Sequence, residues 1–233
     1  MNAETFPLPL VLATGNPDKA REISEIIVTR LDEPLAARAI TAGGDTYGFL
    51  VDRFGTAATR PLDDRDDLAE APDVEETGAT LEENARIKAN ALARATDMLA
   101  VADDTGLEVD ALEGAPGVYS ARYAGPDASY DDNVAKLLRE MEGVYPALRT
   151  ARFATVALAR WPDGKEIAVR GEVEGVIAAA PLGQRGFGYD PVFVPTEGDG
   201  RTFAQMPAAE KHAISHRGRA FAALVDALTA SPR

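Results

Sequence analysis

The chain has 233 residues, 38 acidic against 24 basic, a formal net charge of -14 and no cysteine. That length suits one large domain, or two lobes around a shared sheet, with a substantial core. The acidic excess opposes binding a nucleic-acid polymer through phosphate neutralisation, the lack of cysteine excludes disulfides and thiolate metal sites and suits the cytoplasm, and neither a membrane-spanning apolar run nor a signal-peptide pattern is present.

Leu10 to Ala13 is a short apolar strand candidate, followed by Thr14-Gly15-Asn16-Pro17-Asp18-Lys19 and a helical pattern carrying Ile23, Ile26, Ile27 and Leu31. Asn16 suits the N-cap and Pro17 the first helical position, where a missing N–H has no partner to lose. Gly15 permits a tight turn, and free N–H groups with the Lys19 ammonium make a phosphate cradle. A capped helix with a surface lysine is the plainer reading, and the spacing is not that of a Walker A loop. Residues 40–73 read as an acidic insertion or loop, with the run Asp63-Asp64-Arg65-Asp66-Asp67 as a solvated patch.

Thr80 to Glu83 fits a capping box that opens a helix to about Asp97, with Leu81, Ala85, Ala89, Leu92 and Ala93 as its apolar stripe. Asn84 and Lys88, four apart, share a face and can aim two donors at one spot. The next apolar run, from Met98, is expected to end at Asp103 and Asp104, at the C-terminal mouth of a strand, with Thr105-Gly106 turning away. Side chains alternate along a strand, so the two carboxylates should point to different sides. A loop–helix–strand unit then brings Glu76 close to Asp104, and two carboxylates near a phosphate suit Mg²⁺. The competing readings are a solvated strand end for the aspartates and salt bridges to Lys88 or Arg86 for Glu76.

Residues 107–125 form a compact loop in which Arg122 is either an anion contact or a structural ion pair. Asn133 to Glu142 reads as a helix with Val134, Leu137, Leu138 and Met141 inward. Arg152 to Trp161 and Glu166 to Val173 read as strands of a hairpin joined at Pro162-Asp163-Gly164-Lys165, which makes a purely parallel sheet unsuitable. Glycines around Phe187, Gly188, Tyr189 and Asp190 fit either a base-binding loop or a bulge at a strand start. In the run 210–218, His212 and His216 are four apart, but the zinc-protease glutamate is missing and the chain has only these 2 histidines. Lys211, His216 and Arg217 suit donors to an anion or a base carbonyl better.

Five segments, LATGNPDK at 12–19, ETGATLEENARIKA at 76–89, ADDTGLEVDALEGAPGVYSARYAG at 102–125, GFGYDPVF at 186–193 and EKHAISHRG at 210–218, together resemble the inosine triphosphate pyrophosphatase family, especially its bacterial members. The resemblance spans most of the chain in the family's order. It implies an elongated, curved mixed β-sheet flanked by helices, a single α/β domain of two lobes with a central nucleotide cleft, commonly a homodimer. It also implies Mg²⁺-dependent hydrolysis of ITP, dITP and XTP to the monophosphate and pyrophosphate. By that resemblance the loop Thr14 to Lys19, with Gly15 and Asn16, and Lys88 serve the phosphates and Glu76 and Asp104 the metal, while Asn84 is a substrate-contact candidate from its shared face with Lys88. The resemblance implies Asp104 as the proton acceptor, with neighbouring Asp103 as the alternative. By the same resemblance Phe187 to Asp190 frame the purine and Lys211, His216 and Arg217 read its keto groups; Thr105 and Arg122 are further substrate-contact candidates of the sequence. Thr105 stands where many bacterial relatives carry serine, and the region from Ala39 to Asp73 is longer than in compact members. Two other readings are a pyrophosphatase for modified pyrimidine nucleotides and a sensor that binds nucleotide without cleaving it.

Overall fold

A computed structural model describes residues 10–14, 16–30, 38–42, 46–51 and 74–230. Gly15 and the acidic patch at 63–67 lie outside the described residues. The strands are β1 (Leu10–Ala13), β2 (Arg38–Ala42), β3 (Thr46–Val51), β4 (Leu99–Val109), β5 (Pro116–Gly117), β6 (Thr150–Arg160), β7 (Glu166–Ile177) and β8 (Phe193–Pro195). The helices are α1 (Pro17–Arg30), α2 (Leu81–Thr96), α3 (Tyr130–Glu140), α4 (Ala208–Ile214) and α5 (His216–Ala230). The strands pair in the order β2-β3-β1-β4-β6-β7-β8, with β5 on β4. β1 runs parallel to β4 and antiparallel to β3, so the open sheet is mixed, and helices flank it.

Local chemistry explains most element boundaries. The Asn16 carboxamide oxygen accepts from the backbone N–H groups of Asp18 at 2.9 Å and Lys19 at 3.2 Å, which starts α1. Thr80 caps α2 by accepting from Glu83 N at 3.1 Å, while the Glu83 carboxylate reaches back to Ala79 N at 2.7 Å. Asp97 ends α2 in the left-handed region at φ 51°. β6 and β7 are neighbours joined through Trp161 to Lys165, as the hairpin signal predicts.

Two boundaries differ from expectation, those of β4 and α3. β4 does not end at Asp103-Asp104 but continues to Val109, so both aspartates lie in mid-strand. The continuation is held because Leu107 and Val109 are fully buried and β5 pairs with Leu107 and Glu108. The Leu107 N–H also donates to Ser120 Oγ at 2.9 Å. α3 begins at Tyr130, three residues before Asn133, because Ser129 and Asp132 form a reciprocal capping box. The run 210–218 is split at Ser215, whose hydroxyl accepts from Gly218 N at 3.0 Å.

The chain divides into two compact units, residues 1–104, 156–169 and 220–233 in the first, residues 105–155 and 170–219 in the second. In the first, Leu12, Ile23, Ile26, Ile27, Leu99, Val101, Phe221, Leu224 and Leu228 build a core around β1, α1 and α5. In the second, Leu107, Val134, Leu137, Met141, Phe153, Val192, Phe193 and Phe203 build another. Among the described residues no helix is long and apolar enough to cross a membrane.

Candidate active site

In the first unit, strand register positions the site. The parallel pairing sets Leu12 beside Val101 and Ala13 beside Ala102, so Thr14 and Asp103 follow at the same level. The Thr14 hydroxyl accepts from Asn16 N at 3.2 Å, tightening the turn into α1. Lys19, in the first turn of α1, then reaches Asp103, Nζ to Oδ2 at 3.3 Å, where Asp103 is 1% exposed. The neighbouring Asp104 is held from α2 instead. Asn84 Nδ2 donates to its Oδ2 at 3.1 Å and Lys88 Nζ to its Oδ1 at 3.3 Å. One donor per carboxylate oxygen is what the i,i+4 spacing offers, and adjacent aspartates with different lysines follow from strand alternation.

Lys88 Nζ also pairs with Glu76 Oε1 at 2.9 Å, so a single ammonium joins the two carboxylates that the sequence brings together. The salt bridge to Lys88 weighed for Glu76 is thus present, whereas Arg86 turns to Glu82 and Glu166. Asn84 has a second function not visible from its spacing. Its Oδ1 accepts from Gly78 N at 2.8 Å, fastening the loop that carries Glu76. A Cβ at Gly78 would stand 2.6 Å from that oxygen, so the approach requires glycine.

Burial pushes the Asp104 carboxyl above its ordinary range, with Glu76 adding to the rise, more than Lys88, Lys19 and the Asn84 hydrogen bond pull it down. Burial works against the Lys88 charge too, but Asp104, Glu76 and Asp103 outweigh it and hold the ammonium above its usual value. Glu76 and Asp104 supply hard oxygen ligands, and Mg²⁺ uses one or two carboxylates completed by water and phosphate oxygens. The donor set therefore fits Mg²⁺. Among the described residues there is no group of three or more histidine, cysteine, aspartate or glutamate side chains that could hold a metal ion.

In the second unit, a cationic and aromatic cluster forms around Phe187. Lys211 Nζ lies 5.2 Å and Arg217 Cζ 5.3 Å from the Phe187 ring centroid, and the Tyr130 ring stands 5.8 Å away. Asp190 Oδ2 accepts from Phe187 N at 3.0 Å and from Lys211 Nζ at 2.7 Å, so it ties the loop to α4. Gly186, at φ 70°, passes so close that a Cβ would meet Asp190 Oδ2 at 1.9 Å. Gly188 adopts φ 63° in the same turn. Arg217 is buried and its Nη2 donates to Thr105 Oγ1 at 3.2 Å, and Thr105 Oγ1 lies 2.7 Å from Thr155 Oγ1. His216 stacks on Phe153 at 4.5 Å and 14°.

Not every candidate faces this cluster. Tyr189 is 4% exposed and its hydroxyl donates to Ser120 O at 2.9 Å, so its ring is core packing rather than a stacking face. Arg122 lies over the Tyr119 ring, 5.3 Å from its centroid. Gly15 lies outside the described residues. Thr155 was absent from the sequence reading, and its only signal is a lone hydroxyl in the apolar run from Ala154 to Ala159.

A sequence model of the Ham1 family matches residues 10–227. The chain belongs to the Ham1 family. It is 51% identical over 216 residues to the dITP/XTP pyrophosphatase of Streptomyces coelicolor, covering 93% of this chain and 94% of that protein. It is 47% identical to the dITP/XTP pyrophosphatase of Chlorobaculum tepidum, covering 93% and 90%. Among solved structures, a HAM1 protein from Coxiella burnetii matches with a TM-score of 0.74 at 34% identity, covering 96% of this chain and all of that one. These Ham1 relatives span both units, so the likeness is not confined to one cluster.

Proposed function

We propose that this Ham1 protein is an enzyme, a nucleoside-triphosphate pyrophosphohydrolase that clears non-standard purine nucleotides, ITP, dITP and XTP, by releasing the monophosphate and pyrophosphate. The observation that carries the reading is the Lys88 ammonium bridging Glu76 and Asp104, beside the second pair of Lys19 and Asp103. Relatives of similar length named dITP/XTP pyrophosphatase support the substrate class.

Glu76 and Asp104 would hold Mg²⁺, which when bound neutralises charge on the phosphate oxygens. Lys19 and Lys88 orient the triphosphate. Lys88 now balances two carboxylates, and it would turn its charge to the phosphates once those carboxylates are balanced otherwise. A carboxylate of the Asp103–Asp104 pair takes a proton from water as the water oxygen bonds to the α-phosphorus. The bond from the α-phosphorus to the bridging oxygen breaks, and pyrophosphate leaves with that electron pair. The base would rest against Phe187, with the buried Arg217, Lys211 and His216 as donors to a keto oxygen. Adenine presents an amine donor at that place, which cannot accept a hydrogen bond from them. Thr14, Gly15 and Asn16 would complete the phosphate cradle. A homodimer in the cytoplasm, where nucleotide pools lie, completes the reading, and light scattering tests the dimer.

The test is a panel of ITP, XTP, dITP, GTP, ATP and dTTP, with and without Mg²⁺, with products identified by phosphorus NMR. Monophosphate and pyrophosphate from ITP and XTP, lost on chelation, are expected. A diphosphate with inorganic phosphate, a preference for dTTP, or binding without turnover contradicts it.

A further inference from the structure

β6 is aliphatic from Ala154 to Ala159 except at Thr155, which is fully buried. A strand wall gains nothing from a hydroxyl unless that hydroxyl is bonded. Phe153 and Thr155 are two apart and so share one face of the strand. Each supports one of two consecutive residues in the first turn of α5. The Phe153 ring stacks on His216, and Thr155 Oγ1 meets Thr105 Oγ1 at 2.7 Å, which in turn accepts from Arg217 Nη2 at 3.2 Å.

The chemistry of these groups gives the contact a direction. A guanidinium carries donors only, so Thr105 meets it as an acceptor. Thr105 either gives its proton to Thr155 or accepts a second hydrogen bond from it, and both arrangements keep a Thr105 lone pair towards Arg217. The Phe187 face attracts the guanidinium but leaves its in-plane rotation open. The hydroxyl pair supplies a directional restraint.

We propose that Thr155 is a positioning residue that aims the Arg217 guanidinium through the Thr105 hydroxyl, and thereby sets the preference of the site for a keto purine over an amino purine. This rests on the reading of Arg217 as a donor to the base carbonyl. Thr155 touches no substrate in this account. Its effect falls on how well the donor is presented, and so on KM and selectivity rather than on the proton transfer.

The test compares kcat and KM for ITP and ATP in the wild type, Thr155→Val, Thr155→Ser, Arg217→Met and the Thr155→Val/Arg217→Met double variant, with an unfolding midpoint for each. Thr155→Val should raise KM for ITP about tenfold with kcat within about twofold, and lower the ITP-over-ATP ratio about tenfold, the order of a hydrogen bond to a charged group. Thr155→Ser should restore both. In the Arg217→Met background Thr155→Val should cost nothing further, because the group it positions is gone. An unchanged ratio in Thr155→Val, or an equal further loss in the double variant, overturns the positioning role while leaving the Arg217 reading in place. If Arg217→Met keeps the wild-type ratio, the base reading itself fails and the positioning role with it. Should Thr155→Val not fold, Thr155→Ala decides on the same readouts.

Discussion

The two clusters hold their cations in different ways. In the first unit, lysines meet carboxylates, Lys19 with Asp103 and Lys88 with Glu76 and Asp104. In the second, Arg217 meets a threonine hydroxyl and an aromatic face, and Lys211 is tied to Asp190. An ammonium is a point charge on a flexible stem, whereas a guanidinium is a planar fork with fixed donor directions. Phosphate tails and metals need charge that can be exchanged among partners. Telling a keto oxygen from an amine needs direction. The first cluster sets ammonium groups from α1 and α2 against carboxylates of β4, and the second sets the Arg217 fork at the start of α5.

Breaking the first cluster should cost the most. Asp104→Asn removes a carboxylate from both the proposed metal set and the proton-accepting pair, and steady-state assays with ITP should show kcat down about 10³-fold. Turnover near wild type would remove the mechanism. Gly78→Ala probes the same cluster indirectly, since its Cβ would meet Asn84 Oδ1 at 2.6 Å and Glu83 Cβ at 2.7 Å. Relief of that clash displaces the Glu76 loop, so activity should fall about tenfold and chemical denaturation should report a loss of about 1–3 kcal/mol.

The smallest expected effect sharpens the contrast by touching only scaffold. Glu166 pairs with Arg160 at 2.5 Å and Arg86 at 3.0 Å. Partial burial works against its charge, but those two guanidinium groups outweigh it and hold its carboxyl below the ordinary 4.5. A depressed carboxylate stabilises the fold above its unfolded pKa, and that contribution is lost as pH falls through the folded value. Glu166→Gln should therefore cost about 1 kcal/mol at neutral pH with unchanged kcat. The gap to wild type should narrow below pH 4.5, and denaturation at several pH values checks it. A gap that widens in acid would contradict the assignment.

What could be read from the sequence is what depends on neighbours along the chain. The Asn16 and Thr80 caps, the Asn84–Lys88 face and the hairpin turn at 162–165 are local chemistry, and each is found where its residues suggest. The proximity of Glu76 and Asp104 followed from a short loop–helix–strand path. The end of β4 is not legible in the sequence, because Thr105-Gly106 carries a turn signature while the restraints that keep the strand extended come from Pro116, Gly117 and Ser120. Tyr189 looked like a stacking face because an aromatic beside glycines gives no sign of which way it packs. Thr155 was silent for a similar reason, since its partner Thr105 is 50 residues away and Arg217 is 112 residues from Thr105.

We propose a division of labour, with phosphate chemistry in one cluster and base selection in the other. The direct measurement is the ITP-over-ATP ratio of kcat/KM in Asp104→Asn and in Arg217→Met, determined side by side with the wild type. Asp104→Asn should lower both substrates alike and keep the ratio, while Arg217→Met should lower the ratio about 10²-fold. A ratio that collapses in Asp104→Asn and survives in Arg217→Met would contradict it.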